Sequence, residues 1–133
     1  MFISHLNLLG IIVATVGGMI LGAIWYSQAL FGNQWMKCLG KTKEALGSST
    51  MPMIGAVIAC LLTAIGIDLL HSLMMITSLA SAAGLGLLLG FLIIFPAMLS
   101  DNLFCGWGHK LLMIQSGYRL ASVILMSVLI YLF

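Results

Sequence analysis

Charge is the scarcest property of this sequence: 6 % of its 133 residues are Asp, Glu, Lys or Arg, against 62 % hydrophobic. A soluble domain carries about 25 % charged residues, so this chain has too little polar surface to face water. Its formal charge of +2 is too small to suggest a nucleic-acid partner. Cysteine is equally sparse, and Cys38, Cys60 and Cys105 are odd in number and far apart, which excludes a disulfide framework. The start, Met1 to His5, lacks the basic stretch of a signal peptide and no small-x-small site follows it, so the first apolar run is expected to be retained. No internal repeat is convincing, which leaves an inverted-repeat transporter within one chain without support. There is no nucleophile–base pair, phosphate loop or zinc-peptidase pattern, so no enzyme activity and no cofactor are expected. Cys105, His109 and Cys38 fall short of the four ligands of a closed zinc site and read as small buried thiols beside a histidine. The ten methionines are scattered gap-fillers with no soft ligands gathered around them.

What is present is long apolar runs. A bilayer-spanning helix needs about 20 apolar residues, and four such runs fit: about 7–27, 53–74, 82–104 and 111–131. They are continuous and do not alternate, which favours helices over a barrel. The expectation is an all-α, transmembrane four-helix bundle in one domain, 1–133. Pro52 stands near the first turn of the second span, where its missing N–H costs nothing, and Pro96 lies inside the third. Lys37, Lys41 and Lys43 fall between spans one and two and Lys110 between three and four, while the remaining loop and both ends lack Lys and Arg. By the positive-inside rule, loops 28–52 and 105–110 are cytoplasmic and both termini face outward, in a cell inner (plasma) membrane. Residues 33–46 read as a short cytoplasmic interfacial helix capped by Asn33, with Trp35, Met36 and Leu39 on one side and the three lysines toward an anionic inner leaflet. Trp25, Tyr26 and Trp35 would anchor that interface.

Small residues recur at intervals of four: Gly10, Ala14, Gly18 and Gly22 in span one, Ala56, Cys60 and Ala64 in span two, Ala82, Gly86 and Gly90 in span three. Lipid gives apolar side chains no reason to leave it, so helices associate where small residues let backbones approach. The stripes serve either the bundle itself or a homo-oligomer, and three stripes on four helices would leave one for a partner. Ionisable residues inside spans are functional candidates by default. Asp101 and Arg119 lie at similar depth near the inner surface, and Gln115, Ser116, Arg119 and Ser122 lie at helical spacing. Asp101 and Arg119 form a neutralising pair, or Arg119, its polar face and Tyr26 line a site for a polar or anionic solute. Toward the outer surface, His5, Asn7, Asp68 and His71 form a second polar group. It is either wet at the interface or an Asp–His couple able to move protons.

One stretch carries a resemblance: Gly22-x-x-Trp25-Tyr26-Ser27-x-x-x-Phe31-Gly32-x-x-Trp35, preceded by Asn7 and followed late by Gly117-Tyr118-Arg119-Leu120. The chain resembles a family of small four-span bacterial membrane proteins catalogued as a domain of unknown function. Gln28 stands where that pattern has Pro, so the break after span one is less enforced. Arg119 stands where it has His, and Arg stays charged. The resemblance implies an inner-membrane location and four spans, and brings no activity. The expected function is a homo-oligomer that binds or passes a small polar solute. The rival is an accessory protein binding lipid or a membrane partner through residues 33–46.

Overall fold

A computed structural model describes residues 5–41, 47 and 49–133. The chain is all-helical. Four helices are long and apolar enough to cross a membrane: α1 (Leu8–Trp25), α3 (Thr50–Met74), α4 (Leu79–Cys105) and α5 (His109–Leu132). The short α2 (Gly32–Leu39) lies between the first two. The spans expected from the apolar runs match these within a few residues; α3 starts three residues earlier than expected, so that Pro52 falls within its first turn.

Local chemistry sets the ends. The Asn7 side chain accepts the Gly10 N–H at 3.0 Å and caps α1, and the Ser78 hydroxyl accepts the Ser81 N–H at 3.1 Å and caps α4. Such side-chain oxygens satisfy amides that the first helical turn leaves unpaired. Helix α2 begins after Phe31 without a side-chain cap. Asn33 therefore does not cap it, because it already lies inside the first turn. Residues 42–46, the second half of the expected interfacial segment and the site of Lys43, lie outside the described residues. Within α4, Leu89–Ile94 widens into a π-helical turn in which the Phe95 N–H reaches the Gly90 carbonyl, and Pro96 follows at once. Proline has no N–H to offer four residues back and its ring crowds that carbonyl; the wider turn accommodates both.

Long helices consecutive in the chain run antiparallel, and α5 lies at the centre, touching every other helix. It is the least apolar of the four, yet 44 % of its spanning window is buried against 22 % in each of the others. All three small-residue stripes turn inward. Ala14, Ala64 and Ala82 are fully buried, Gly18 lies against Cys60 of α3 and Met126 of α5, and Gly86 and Gly90 lie against Ile124 and Leu120 of α5. None of the three is left over for a partner, since each is used where α1, α3 or α4 meets its neighbour within the chain. Within the long helices, the glycines that remain open are Gly55 and Gly66 on α3 and Gly84 on α4.

Gly86 makes the tightest of these approaches to a neighbouring backbone: a Cβ there would stand 2.6 Å from the Ile124 Cα, an atom that no rotamer change can move. Gly86→Ala is expected to lower bundle stability by about 1–3 kcal/mol, read as the unfolding midpoint in mixed micelles. Gly84→Ala, two residues away with nothing near its Cβ, is expected to change it by less than about 0.5 kcal/mol.

Candidate functional site

The Lys37 end of the bundle is built by the chain reversal after α1. The Tyr26 N–H closes the helix on the Gly22 carbonyl, the Phe31 N–H reaches back to the Trp25 carbonyl at 3.0 Å, and the Gly32 N–H bonds the Ser27 carbonyl at 2.9 Å. A Cβ on Gly32 would collide with the Tyr26 carbonyl oxygen, so this reversal requires glycine. Gln28 is exposed and the break forms without a proline. Trp25 folds inward: its ring packs on Phe31 at 4.8 Å between centroids and its Nε1 donates to the Ile114 carbonyl of α5 at 3.0 Å. The reversal carries α2 back so that Trp35 packs on Tyr26 at 5.2 Å. Trp25, Tyr26 and Trp35 are all half-buried, so these anchors make contacts within the chain.

Above this turn, α1, α2, α3 and α5 enclose a cavity of about 470 Å³, within the range of small-molecule pockets. Its polar end is formed by Tyr26, Trp35, Tyr118 and Arg119. The Tyr118 hydroxyl donates to the Gly18 carbonyl at 3.1 Å, and its ring meets Tyr26 edge-on at 5.4 Å. The Arg119 guanidinium carbon stands 5.3 Å from the Tyr118 ring centre, a cation–π contact. The Trp35 Nε1 is buried and has no hydrogen-bond partner among the described residues. Burial pushes the Tyr26 phenol up to about 12, with the Arg119 charge pulling the other way. From this end the walls turn apolar, with Met19 and Ala23 of α1 facing Met53, Ala56 and Cys60 of α3. Two neutral donors, Tyr26 and Trp35, and the Arg119 guanidinium thus line one otherwise apolar cavity.

The expected polar residues do not form one site. Arg119 and Tyr26 line this cavity, whereas Asp101 and Gln115 line a separate one of about 110 Å³ with Asn102 and Trp107. No ion pair joins Asp101 to Arg119 among the described residues. Similar depth does not make two side chains face each other, and α5 turns Arg119 toward α1 instead of α4. Ser116 and Ser122 are buried, and the Ser122 hydroxyl lies on the Met126 sulfur at 3.6 Å. Lys37 and Lys41 are exposed. Of the thiols only Cys60 is buried; Cys105 is exposed and Cys38 half-buried, because both sit at the ends of helices and not inside the bundle. Asn102 is buried and ties the α4–α5 turn by donating to the Gly108 carbonyl at 3.1 Å. Sequence reasoning missed Tyr118 and Trp35 as walls of the larger cavity. The signal for Tyr118 was its place beside Arg119 on the one helix rich in polar residues.

At the opposite end, Asn7 joins three helices. It caps α1, its backbone N–H donates to Asp68 Oδ2 of α3 at 3.0 Å, and its Nδ2 donates to the Ile130 carbonyl of α5 at 3.2 Å. Asp68 is only 4 % exposed, so it is not wet; its carboxylate sits at the positive N-terminal end of α1. His71 turns to Ser127 of α5 at 2.8 Å. The Ser127 hydroxyl gives its single proton to the Ala82 carbonyl at 2.6 Å, so His71 Nε2 must be the donor in that pair. His5 is exposed. This end is a polar clamp holding α1, α3, α4 and α5 together.

The sequence profile of the family described as "Protein of unknown function (DUF1761)" matches residues 9–131. The chain belongs to this family. The DUF1761 match runs from the first turn of α1 to the last turn of α5, so it takes in both the cavity and most of the clamp. No curated protein and no solved structure matches the chain.

Removing the Asn7 side chain deletes a cap and a bond between helices at once, so Asn7→Ala is expected to cost about 1–2 kcal/mol in the unfolding midpoint. Tyr26 adds a pH dependence. Its folded phenol keeps its proton up to about 12, while the unfolded chain loses it near 10.0. The stability it contributes is full below pH 10 and is lost as pH rises toward 12. Unfolding midpoints taken across that window should fall less steeply in Tyr26→Phe than in the wild type.

Proposed function

We propose that this protein is a non-enzymatic membrane protein that binds a small polar or anionic solute in the Arg119 cavity. One observation carries the reading: among the described residues, a guanidinium with no carboxylate against it and a buried indole N–H with no partner line the same 470 Å³ cavity. A buried donor left without an acceptor costs about 1–3 kcal/mol, and an anion supplied by a ligand would remove that cost. Binding is favoured over passage, because between the two polar ends the bundle is filled by Ala14, Ala64, Ile67 and Met126, all at most 2 % exposed. The lysines at the cavity end favour a cytoplasmic orientation for it in an inner membrane. Labelling tests this: Cys105, exposed in the α4–α5 turn, should react with a membrane-impermeant maleimide only from the cytoplasmic face, and reaction only from outside overturns the orientation.

Self-association belongs to the same proposal, with the glycines of α3 that lack neighbours, Gly55 and Gly66, as the face where a second copy could approach closely. A monomeric native mass in mild detergent would remove it. The rival reading, an accessory protein that binds lipid through residues 33–46, draws support from the exposed Lys37 and Lys41, each worth about 1 kcal/mol near an anionic surface. The deciding comparison is anion binding followed by tryptophan fluorescence. Arg119→Ala should weaken it about tenfold or more while Lys37→Gln/Lys41→Gln leaves it near wild type. The reverse pattern favours the accessory reading.

A further inference from the structure

The cavity's shape, its single charge and its opening narrow the ligand class further, given the reading that it holds an anion. From Ser49, just before α3, to Cys60 its α3 wall advances eleven residue steps, about 16 Å of helix at 1.5 Å per residue. Its uncommitted donors are Arg119 and the Trp35 Nε1, since the Tyr118 hydroxyl, at the Gly18 end, is already spent on the Gly18 carbonyl. The rest of the cavity runs between Met19 and Ala23 on one side and Met53 and Ala56 on the other, too long and too apolar for a hydrated ion, which would leave those walls without contacting atoms. The slot ends where α1 and α3 close at Gly18 and Cys60. Below that contact the two helices form opposite walls, and Ala23 and Met53 are exposed on the rim, so the cavity opens sideways toward the hydrocarbon. Tyr26 and Trp35, packed together, floor it on the α2 side.

Charge completes the description. Among the described residues Arg119 is the one cation lining the cavity, so a monoanion is balanced and a dianion would leave one charge uncompensated. Arginine's fork of donors suits two oxygens of a phosphate or carboxylate, and the Trp35 Nε1 lacks an acceptor among the described residues. Lys37 and Lys41, exposed at the same end, raise the local concentration of anionic lipid.

We propose that the cavity takes the monoanionic phosphodiester head and one acyl chain of a membrane phospholipid, entering sideways between α1 and α3 from the leaflet on the Lys37 side. The head group meets Arg119 and Trp35, and the chain lies along Met19, Met53 and Ala56.

The experiment is native mass spectrometry of the full chain in detergent, titrated with phosphatidylglycerol, phosphatidylcholine or glycerophosphoglycerol, the monoanionic head group without its acyl chains. Three variants accompany the wild type: Arg119→Gln, Lys37→Gln/Lys41→Gln, and Ala56→Leu, which fills the slot without touching its polar end. Circular dichroism confirms that each keeps its helical content. The expected result is phosphatidylglycerol bound about tenfold or more tightly than phosphatidylcholine. That preference should disappear in Arg119→Gln, affinity should fall in Ala56→Leu, and the lysine variant should keep the preference. Glycerophosphoglycerol bound as well as the lipid, with Ala56→Leu unaffected, would overturn the lipid assignment and leave the anion site standing. A preference that survives Arg119→Gln and disappears with the lysines would overturn it in favour of surface adhesion. If no ligand depends on Arg119, both the lipid assignment and the anion site fall.

Discussion

The hydroxyl of Tyr118 on the Gly18 carbonyl, 3.1 Å apart and buried, is the contact on which this bundle turns. In lipid, apolar side chains gain nothing by leaving the solvent, so close backbone approach and hydrogen bonds between helices carry the association. Tyr118 supplies both. Its ring lies over Gly22, where a Cβ would stand 3.0 Å from the phenolic oxygen, and its hydroxyl uses a carbonyl one turn further along α1. With α1 and α5 fixed at that point, the next residue, Arg119, faces the gap between α1 and α3. Tyr26, one turn beyond Gly22, closes edge-on against the same ring. The larger cavity is what remains when a tyrosine, and not a small residue, sets the spacing of two helices.

The burial pattern inverts the soluble rule. The helix with most of the polar side chains, α5, is the most buried, and the outward faces are Leu, Ile, Val and Met. Each buried polar group on α5 explains part of this. Ser127 bridges His71 and Ala82, the Ile130 carbonyl receives Asn7, and Tyr118 reaches Gly18. A helix with several such groups is costly against lipid and inexpensive at the centre, where neighbouring backbones offer partners.

That inversion also marks where the sequence was legible and where it was not. The four spans could be read because length and continuous apolarity are one-dimensional signals. Facing could not, since a helix apolar all round carries no hydrophobic stripe to orient it. The small-residue stripes marked the inward faces for α1, α3 and α4 but could not say whether the neighbour belonged to the same chain. Asp101 and Arg119 had the right depth for a pair, yet face different cavities. Tyr26 lies beside Arg119, but Trp35 looked only like an interfacial anchor, because nothing in its sequence neighbourhood reveals that α2 folds back. Asn7 and Asp68 were visible as polar, and their burial followed only once three helix ends met.

The π turn at Leu89–Ile94 has a consequence for how the third span can vary. A wider turn holds more residues than an α turn, so the two halves of α4 do not share one angular register. The first half faces α5 through Ala82, Gly86 and Gly90, and the second turns Asn102 into the α4–α5 hairpin and opens Asp101 toward Gln115. The span therefore behaves as two short helices joined by an angular adapter. The glycine contact with α5 and the polar end beyond Pro96 can each be repacked without dragging the other out of alignment, which a straight helix of the same length would not permit.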